Sequence, residues 1–260
     1  MDENTLRAAL AHLPITEMRY FETAGSTNDL ALKWIEAGAP DGGLVVADAQ
    51  TAGRGRMNRR WVTQQGSALA FSLVLLPRGG EIEKLPFFAP LAGLAVSQAL
   101  ESLGLSPEIK WPNDVLLERR KVCGILVEAA WNGSHSKGVV IGIGVNVAPS
   151  SVPPDDQILF PASCVEQTLG KPVERMDLLA DILTHIFDLR AAIASPLFMR
   201  AWEERLAFRG EWVRVEPPGR PAQVGILVGI DEQGSLVLRN DEGLDVRIPA
   251  GDVARLRPMV

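Results

Sequence analysis

The densest cluster of charged side chains is in the segment QTAGRGRMNRRW, residues 50–61, in which glycines alternate with arginines. Gly53 and Gly55 can adopt positive φ angles and bring backbone N–H groups close to an anion. The guanidinium groups of Arg54 and Arg56 offer planar forks of N–H donors that suit phosphate or carboxylate. The segment therefore predicts a site for a ligand with several negative oxygens, such as an oligophosphate.

The glycine spacing alone does not identify this site. A third glycine is missing, so the segment is not a dinucleotide-binding fingerprint, and no Gly-Lys-Ser/Thr follows, so it is not a P-loop. Only six of the 26 basic residues are lysine, so these arginines could also belong to a surface loop of an arginine-rich protein. On spacing alone, both interpretations stay open.

A second polar segment, KWPND at residues 110–114, follows a short β-like run. The side-chain oxygens of Asn113 and Asp114 can accept hydrogen bonds or hold a magnesium ion. Pro112 stiffens the turn after Trp111. A turn in which the tryptophan only packs against the core is the competing interpretation.

A third segment, RRKVCGILVE at residues 119–128, places charge at the start of an apolar run. Lys121 can put a point charge on a phosphoryl or carboxyl group, and Gly124 leaves room for a ligand. The alternative is a lysine whose stem lies on apolar surface while its ammonium group stays in water. Cys123 has no histidine placed to activate it, so it is expected to fill the core.

Three small polar residues, Ser26, Thr27 and Asn28, follow a predicted strand and begin a predicted helix. A helix cap accounts for one of them, because one capping side chain satisfies a free helix N–H group. Three such side chains in a row exceed what a cap needs and could bind a small polar ligand. Asn146, in GIGVNV, is a further candidate at the end of another predicted strand.

These segments border predicted strands in a chain that alternates strands and helices without strict βαβ order. We expect helices at residues 2–12, 28–38, 85–104 and, divided at Ser195-Pro196, 175–208, and strands at 18–28, 42–50, 67–77, 108–131 and 137–147. The stretch 108–131 is expected to form two strands joined by the charged turn ERRK. The expected fold class is α+β, with a mixed β-sheet flanked by helices.

From Gly210 the pattern changes to short alternating strands separated by the turns PPGR, DEQG and NDEG. Four strands are expected there: EWVRVEP, AQVGILVGI, SLVLRN and DVRIP. We therefore predict two domains, a larger one over residues 1–209 and a small β-barrel over residues 210–260.

The chain has 260 residues, 47% of them hydrophobic, and a net charge of -6. Proteins that bind nucleic acid usually carry a basic field, so the acidic balance argues against duplex binding. No stretch reaches the roughly 18 to 20 apolar residues of a membrane helix, and the acidic N-terminus is unlike a signal peptide. Two distant cysteines indicate neither a disulfide framework nor a zinc site. We expect a cytoplasmic protein without membrane or nucleic-acid partners.

Taken together, GSTN, QTAGRGRxxRxW, KWPNDV, RKxxGILVE and VIGIGVNV resemble the biotin protein ligase family in order and spacing. The resemblance covers the chain from about Met18 to its end. It implies a two-step reaction in which biotin and ATP, with Mg²⁺, give biotinyl-5′-adenylate and pyrophosphate. A lysine of a biotin carboxyl carrier protein then attacks the mixed anhydride. The resemblance also implies an SH3-like C-terminal barrel and a homodimer formed through the central sheet.

The resemblance assigns roles to residues at matching positions. Biotin binding is implied for Ser26, Thr27, Asn28, Gln50, Arg54, Gly55, Arg56, Lys121 and Gly124. Nucleotide binding is implied for Arg56, Trp61, Asn113 and Asn146, with the tryptophan over the adenine. Arg54, Arg56 and Lys121 are expected to act catalytically at the carboxylate and the α-phosphate. Asp114 is expected to orient the acceptor lysine.

Two features depart from the family pattern. Asn58 stands where the family loop usually has glycine, although asparagine tolerates left-handed backbone better than most residues. The first predicted strand begins near Met18, which leaves no room for an N-terminal helix-turn-helix domain, so we expect no DNA binding. A lipoate or octanoate ligase of similar fold is the nearest alternative, but its usual arginine-serine-glycine and histidine-aspartate motifs are missing. A non-catalytic nucleic-acid-binding protein is the alternative from another class.

Overall fold

A computed structural model describes residues 1–61, 63–133, 135–154, 156, 158–216, 221–249 and 255–259. The helices are α1 (Glu3–Ala9), α2 (Thr27–Glu36), α3 (Phe88–Ser102), α4 (Val165–Leu169), α5 (Arg175–Arg190) and α6 (Pro196–Glu204). The strands are β1 (Glu17–Ala24), β2 (Gly43–Gln50), β3 (Gly53–Arg54), β4 (Arg60–Trp61), β5 (Ala68–Leu75), β6 (Pro107–Lys110), β7 (Asp114–Leu117), β8 (Arg120–Asn132), β9 (His135–Asn146), β10 (Trp212–Glu216), β11 (Gln223–Ile230), β12 (Leu236–Arg239), β13 (Asp245–Ile248) and β14 (Arg255–Pro258). No helix among the described residues is long and apolar enough to span a membrane.

Seven strands form one mixed sheet in the order β1-β2-β5-β9-β8-β7-β6. Its central strands are apolar on both faces, and all eight residues of β5 are buried, as expected where both faces are covered. Because side chains alternate along a strand, Leu44 and Val46 pack into the core beneath α3, whereas Val45 packs with Trp34 of α2 on the other face. The prediction of an α+β mixed sheet flanked by helices is confirmed.

The strand pairing brings the polar segments to one place. β1 and β2 are parallel, and Ala24 pairs with Gln50, so GSTN and the arginine segment leave the sheet side by side. Asp114 of β7 pairs with Gly124 of β8, which in turn pairs with Gly144 of β9. KWPND, RRKVCGILVE and GIGVNV therefore meet on neighbouring strands.

The stretch 108–131 was predicted to form two strands. The structure has three strands there, β6, β7 and β8. KWPND is itself the turn between β6 and β7, across which Lys110 pairs with Asp114. Pro112 has no N–H to donate to a strand ladder, which favours a break at this point. The pattern concealed the break because Trp111 is as buried as a strand residue, at 1% exposed.

Five antiparallel strands form a second sheet in the order β13-β12-β11-β10-β14. The four predicted strands are present, and β14, which pairs with β10, was not predicted. β13 and β14 stand at opposite ends of this order, and the described residues show no ladder that closes the sheet. The predicted turn PPGR, residues 217–220, lies outside the described part of the chain.

The second sheet packs against the KWPND turn. Trp111 donates a hydrogen bond from Nε1 to the carbonyl oxygen of Gly234, at 3.0 Å. Arg119, in the hairpin turn between β7 and β8, forms a bidentate ion pair with Glu211. The C-terminal sheet therefore supports the polar turns of the larger sheet from outside.

Candidate active site

One cavity of about 600 Å³ opens where the polar segments converge, a volume suited to a small ligand. All thirteen residues that the family resemblance assigned to the site line this cavity. They are Ser26, Thr27, Asn28, Gln50, Arg54, Gly55, Arg56, Trp61, Asn113, Asp114, Lys121, Gly124 and Asn146. The cavity is also lined by residues that the sequence did not single out, among them Lys110, Phe160 and Arg257.

Three buried polar side chains at the start of α2 line one end of the cavity. Ser26 is the N-cap, and its hydroxyl accepts a hydrogen bond from the backbone N–H of Asp29 at 3.4 Å. Thr27 donates to Oε1 of Gln50 from both its backbone nitrogen, at 2.8 Å, and its hydroxyl, at 3.1 Å. Capping therefore accounts for only one member of the GSTN segment.

Asn28 ties α2 to the central strands. Its Oδ1 accepts from the hydroxyl of Ser72 at 2.6 Å, and its Nδ2 donates to the carbonyl oxygen of Leu126 at 3.1 Å. The same nitrogen donates to Oε2 of Glu128 at 2.8 Å. A Cβ atom on Gly142 would lie 1.9 Å from the Asn28 oxygen, so only glycine permits this close approach.

The arginine segment folds into a narrow ribbon in which Gly53 pairs with Trp61. A Cβ atom on Gly53 would lie 2.5 Å from the carbonyl oxygen of Trp61, which explains the glycine. Gly53 and Gly55 do not adopt the positive φ angles expected of them, and Gly55 has φ of -129°. The left-handed residues are instead at the tip, where Met57 and Asn58 both have φ of 57°. Asparagine adopts this conformation more readily than most residues, so Asn58 suits the position where the family usually has glycine.

The two arginines that flank Gly55 lie in different surroundings. Arg54 makes a bidentate pair with Glu128, at 2.9 and 2.7 Å, and its Nη2 is 2.7 Å from Oδ1 of Asp29. The hydrogen bond to Glu128 raises the pKa of Arg54. Arg56 is half-buried; burial lowers the pKa of its guanidinium, and the charge of Asp114 opposes that change.

Three charged side chains form a cluster beside Arg56, of which Asp114 and Lys110 are buried and Lys121 is half-buried. Asp114 lies between two ammonium groups, with Nζ of Lys121 2.5 Å from Oδ1 and Nζ of Lys110 3.0 Å from Oδ2. Burial alone would raise the pKa of Asp114, but the two lysines more than offset it, so the pKa lies well below the ordinary value. The carboxylate therefore stays ionised, and the cluster carries one net positive charge. Lys110 was not predicted to belong to the site; its only signal in the sequence is its place opposite an aspartate across a proline turn.

Trp61 covers a floor made of two glycines. Cβ atoms built on Gly144 and Gly124 would lie 2.3 and 3.0 Å from its ring. The ammonium group of Lys121 is 5.6 Å from the ring centroid, within reach of a cation–π contact. A flat ring on a side-chain-free floor suits the stacking of another flat group.

Two asparagines are fixed by backbone carbonyls at the cavity wall. Nδ2 of Asn113 donates to Ile125 at 2.7 Å, and Nδ2 of Asn146 donates to Ser163 at 3.0 Å. Burial raises the pKa of the Cys123 thiol well above its ordinary value, so it is held as the neutral thiol. The described site residues thus offer cations and amides, and no activated nucleophile is among them.

Two family models match the chain, and both describe protein ligases. A model described as the Biotin/lipoate A/B protein ligase family matches residues 20–146. A second, described as the biotin protein ligase C terminal domain, matches residues 209–256.

Relatives that match most of the chain show which protein ligases it resembles. A biotin–[acetyl-CoA-carboxylase] ligase of Paracoccus denitrificans is 38% identical over 88% of this chain and 96% of its own length. One from Mycobacterium tuberculosis is 35% identical over 99% of this chain and 96% of its own. The structure of an Aquifex aeolicus biotin protein ligase in complex with biotin and ATP superposes with a TM-score of 0.79, at 30% identity, covering 94% of this chain and all of that one. The chain belongs to the biotin protein ligase family and is a ligase enzyme.

Proposed function

We propose that the cavity binds biotin and ATP together, forms biotinyl-5′-adenylate, and presents it to a lysine of a biotin carboxyl carrier protein. One observation carries this proposal: four polar segments, separated in sequence, converge on one cavity that combines a buried polar end with a cationic end. The relatives named as acetyl-CoA-carboxylase ligases support a carboxylase subunit as the acceptor.

Biotin is proposed to bind at the polar end. Its ureido group has one carbonyl acceptor between two N–H donors, which match the hydroxyls of Ser26 and Thr27 and the amide of Gln50. These side chains are already ordered by the contacts of Thr27 with Gln50, so little freedom is lost on binding. Asn28 acts here by holding α2 in place.

The reacting groups are proposed to meet between the arginine ribbon and Lys121. The biotin carboxylate attacks the α-phosphate, pyrophosphate leaves, and both reactants are anions that repel each other. Arg56 and Lys121 supply fixed positive charge where negative charge develops, and Gly55 and Gly124 permit close approach of the phosphate. Arg54 is proposed at the biotin carboxylate; a guanidinium has five N–H donors, so it can keep its carboxylate partners and still donate to a ligand.

The nucleotide is proposed to extend toward Trp61, Asn113 and Asn146. Trp61 would cover the adenine, because its ring already packs against the backbone of Gly124 and Gly144. The two asparagines have their amide nitrogens fixed by backbone carbonyls, which orients their oxygens.

Mg²⁺ is proposed to enter with ATP rather than to occupy a protein cage. Among the described residues there is no cluster of three histidine, cysteine or acidic side chains. Asp114, the acidic residue of the cavity, is already shared by two lysines. The donor set therefore does not fit a resident metal, and the phosphate oxygens of ATP are the natural ligands of the ion.

The acceptor lysine is proposed to approach near Asp114. The low pKa of this carboxylate makes it a weak base, so its role is to orient an incoming ammonium group rather than to hold its proton.

We further propose the division into residues 1–209 and 210–260, supported by a second sheet that begins at Trp212. A closed SH3-like barrel, a homodimer through the central sheet and a cytoplasmic location, where ATP and carrier proteins are available, belong to the same proposal. Sedimentation velocity with and without biotin and ATP tests the dimer.

Biotin-dependent exchange of labelled pyrophosphate into ATP tests the first step. Exchange that requires biotin and is not supported by lipoate or octanoate is expected. Exchange with lipoate but not with biotin would overturn the proposal in favour of the related ligase class.

A further inference from the structure

Glu128, at the end of GILVE, has no role in the site as described so far, yet it holds two of the site residues. Its Oε1 accepts from Nη1 of Arg54 at 2.9 Å, and its Oε2 accepts from Nη2 of Arg54 at 2.7 Å. The same Oε2 accepts from Nδ2 of Asn28 at 2.8 Å. A bidentate pair with arginine fixes orientation as well as distance.

These contacts continue as one hydrogen-bonded row across the cavity wall. From Glu128 the row passes through Asn28 to the hydroxyl of Ser72, at 2.6 Å. The single proton of that hydroxyl is shared between two acceptors, Oδ1 of Asn28 and, at 2.8 Å, Oγ1 of Thr27. The hydroxyl of Thr27 in turn donates to Oε1 of Gln50 at 3.1 Å. Asn28, Ser72 and Thr27 are almost fully buried, so each depends on its neighbour for a partner.

The two members of the ion pair, Glu128 and Arg54, differ in how firmly the backbone holds them. Glu128 stands in the long strand β8, where it pairs with Val140 of β9. Arg54 stands in the two-residue strand β3, which pairs only with β4 of the same ribbon. A side chain on a central strand can therefore position a ribbon that has little ladder of its own.

We propose that Glu128 is a positioning residue of the ligand site, which sets the arginine ribbon against the sheet through Arg54 and aligns the biotin-binding row through Asn28. Its effect on the reaction is indirect, because the chemistry is carried by Arg56 and Lys121. The proposal rests on the proposed function, since it assigns Arg54, Thr27 and Gln50 to biotin.

Glu128→Gln keeps the size of the side chain and removes its charge and one acceptor. We expect the KM for biotin in the exchange reaction to rise roughly tenfold, the effect of weakening one charge-assisted hydrogen bond. The kcat should change by less than about threefold, because Arg56 and Lys121 are untouched. Arg54→Ala also removes the proposed contact with the biotin carboxylate, so it should raise the same KM by more than Glu128→Gln does. The effect of the double variant should be smaller than the product of the two single effects, because both substitutions break the contact between Arg54 and Glu128.

Glu101→Gln is the matched control. Glu101 makes the same bidentate contact with Arg205, at 2.7 and 2.9 Å, but at the end of α3 and outside the cavity. This variant should leave both kinetic constants unchanged. Thermal unfolding of each variant separates a loss of fold from a loss of position.

The outcomes distinguish the possibilities. A raised KM for Glu128→Gln, with kcat and the unfolding midpoint nearly unchanged, supports the proposal. An unchanged KM, a fall in kcat alone, or additive effects of the two substitutions overturns it. If Glu128→Gln unfolds, Glu128→Asp decides, because it keeps the charge but withdraws the carboxylate from Arg54 by one methylene group; an unchanged KM there overturns the proposal. Absence of biotin-dependent exchange in the wild-type enzyme would overturn the proposed function, and the proposal for Glu128 with it.

Discussion

Replacing Lys121 with methionine is expected to remove most of the adenylation activity while the protein stays folded. The side chain of Lys121 is 25% exposed, and its Nζ lies 2.5 Å from Oδ1 of Asp114. The substitution leaves Asp114 with Lys110, at 3.0 Å, so the buried carboxylate keeps one counter-charge. The free energy of unfolding should therefore fall by only about 1 kcal/mol, the net value of one hydrogen bond.

The loss of activity should be much larger than the loss of stability. One fixed donor aimed at developing negative charge contributes about 100- to 1,000-fold to the rate, or roughly 3 to 4 kcal/mol. Lys110→Met is the matched comparison, because Lys110 contacts the same carboxylate and its side chain is only 10% exposed. That variant should lose more stability, about 1–3 kcal/mol, and less exchange activity than the Lys121 variant.

The assay is biotin-dependent pyrophosphate exchange at saturating ATP, combined with denaturant unfolding of both variants. Exchange by Lys121→Met within about threefold of wild type, with the fold intact, would refute the role of Lys121 at the phosphate. Equal effects of both substitutions on activity and stability would show that the two lysines are only structural partners of Asp114.

Three further predictions follow from the geometry. Gly142→Ala should lower stability by about 1–3 kcal/mol and raise the KM for biotin, because its Cβ would meet Asn28 at 1.9 Å; Gly79→Ala, which meets nothing within 4 Å, should do neither. Asp114→Asn should be about 3 kcal/mol less stable than wild type at pH 7, since two lysines lose their counter-charge. Because the folded pKa of Asp114 is lowered, this stability difference should be constant above the ordinary carboxyl pKa of about 4 and shrink as pH falls further, as denaturant titrations at several pH values would show. Cys123 should resist thiol reagents in the native protein, and rapid labelling at pH 8 would contradict its buried neutral state.

The polar segments that line the cavity could be predicted because they border recognisable strands, and their individual residues because the motifs resemble those of a known family. The apolar runs of β2, β5 and β9 indicate buried strands, and the polar segments begin where those runs end. Parallel pairing of β1 with β2 then brings two such ends together without further information.

The supporting contacts could not be predicted in the same way, because they join residues far apart in sequence. In the sequence, Glu128 is a single acidic residue in an apolar strand, which indicates no role. The fold shows that Asn28 and Arg54 both donate hydrogen bonds to its carboxylate. Lys110 likewise becomes recognisable as a site residue only in the folded chain, where the KWPND turn brings Asp114 beside it.

The strand break at KWPND and the fifth C-terminal strand were missed for related reasons. Trp111 has the burial of a core residue within a turn, which removes the periodicity that marks a strand end. Strand β14 is only four residues long and is defined by its pairing with β10 rather than by its own pattern.

The central claim is that this enzyme activates biotin as an adenylate and transfers it to a carrier lysine. The most direct measurement is mass spectrometry of a biotin-carrier domain incubated with the protein, biotin, ATP and Mg²⁺. We predict a mass increase of one biotinyl group at a single lysine that requires both biotin and ATP. An unmodified carrier, or a lipoyl rather than a biotinyl adduct when both acids are supplied, would contradict the account.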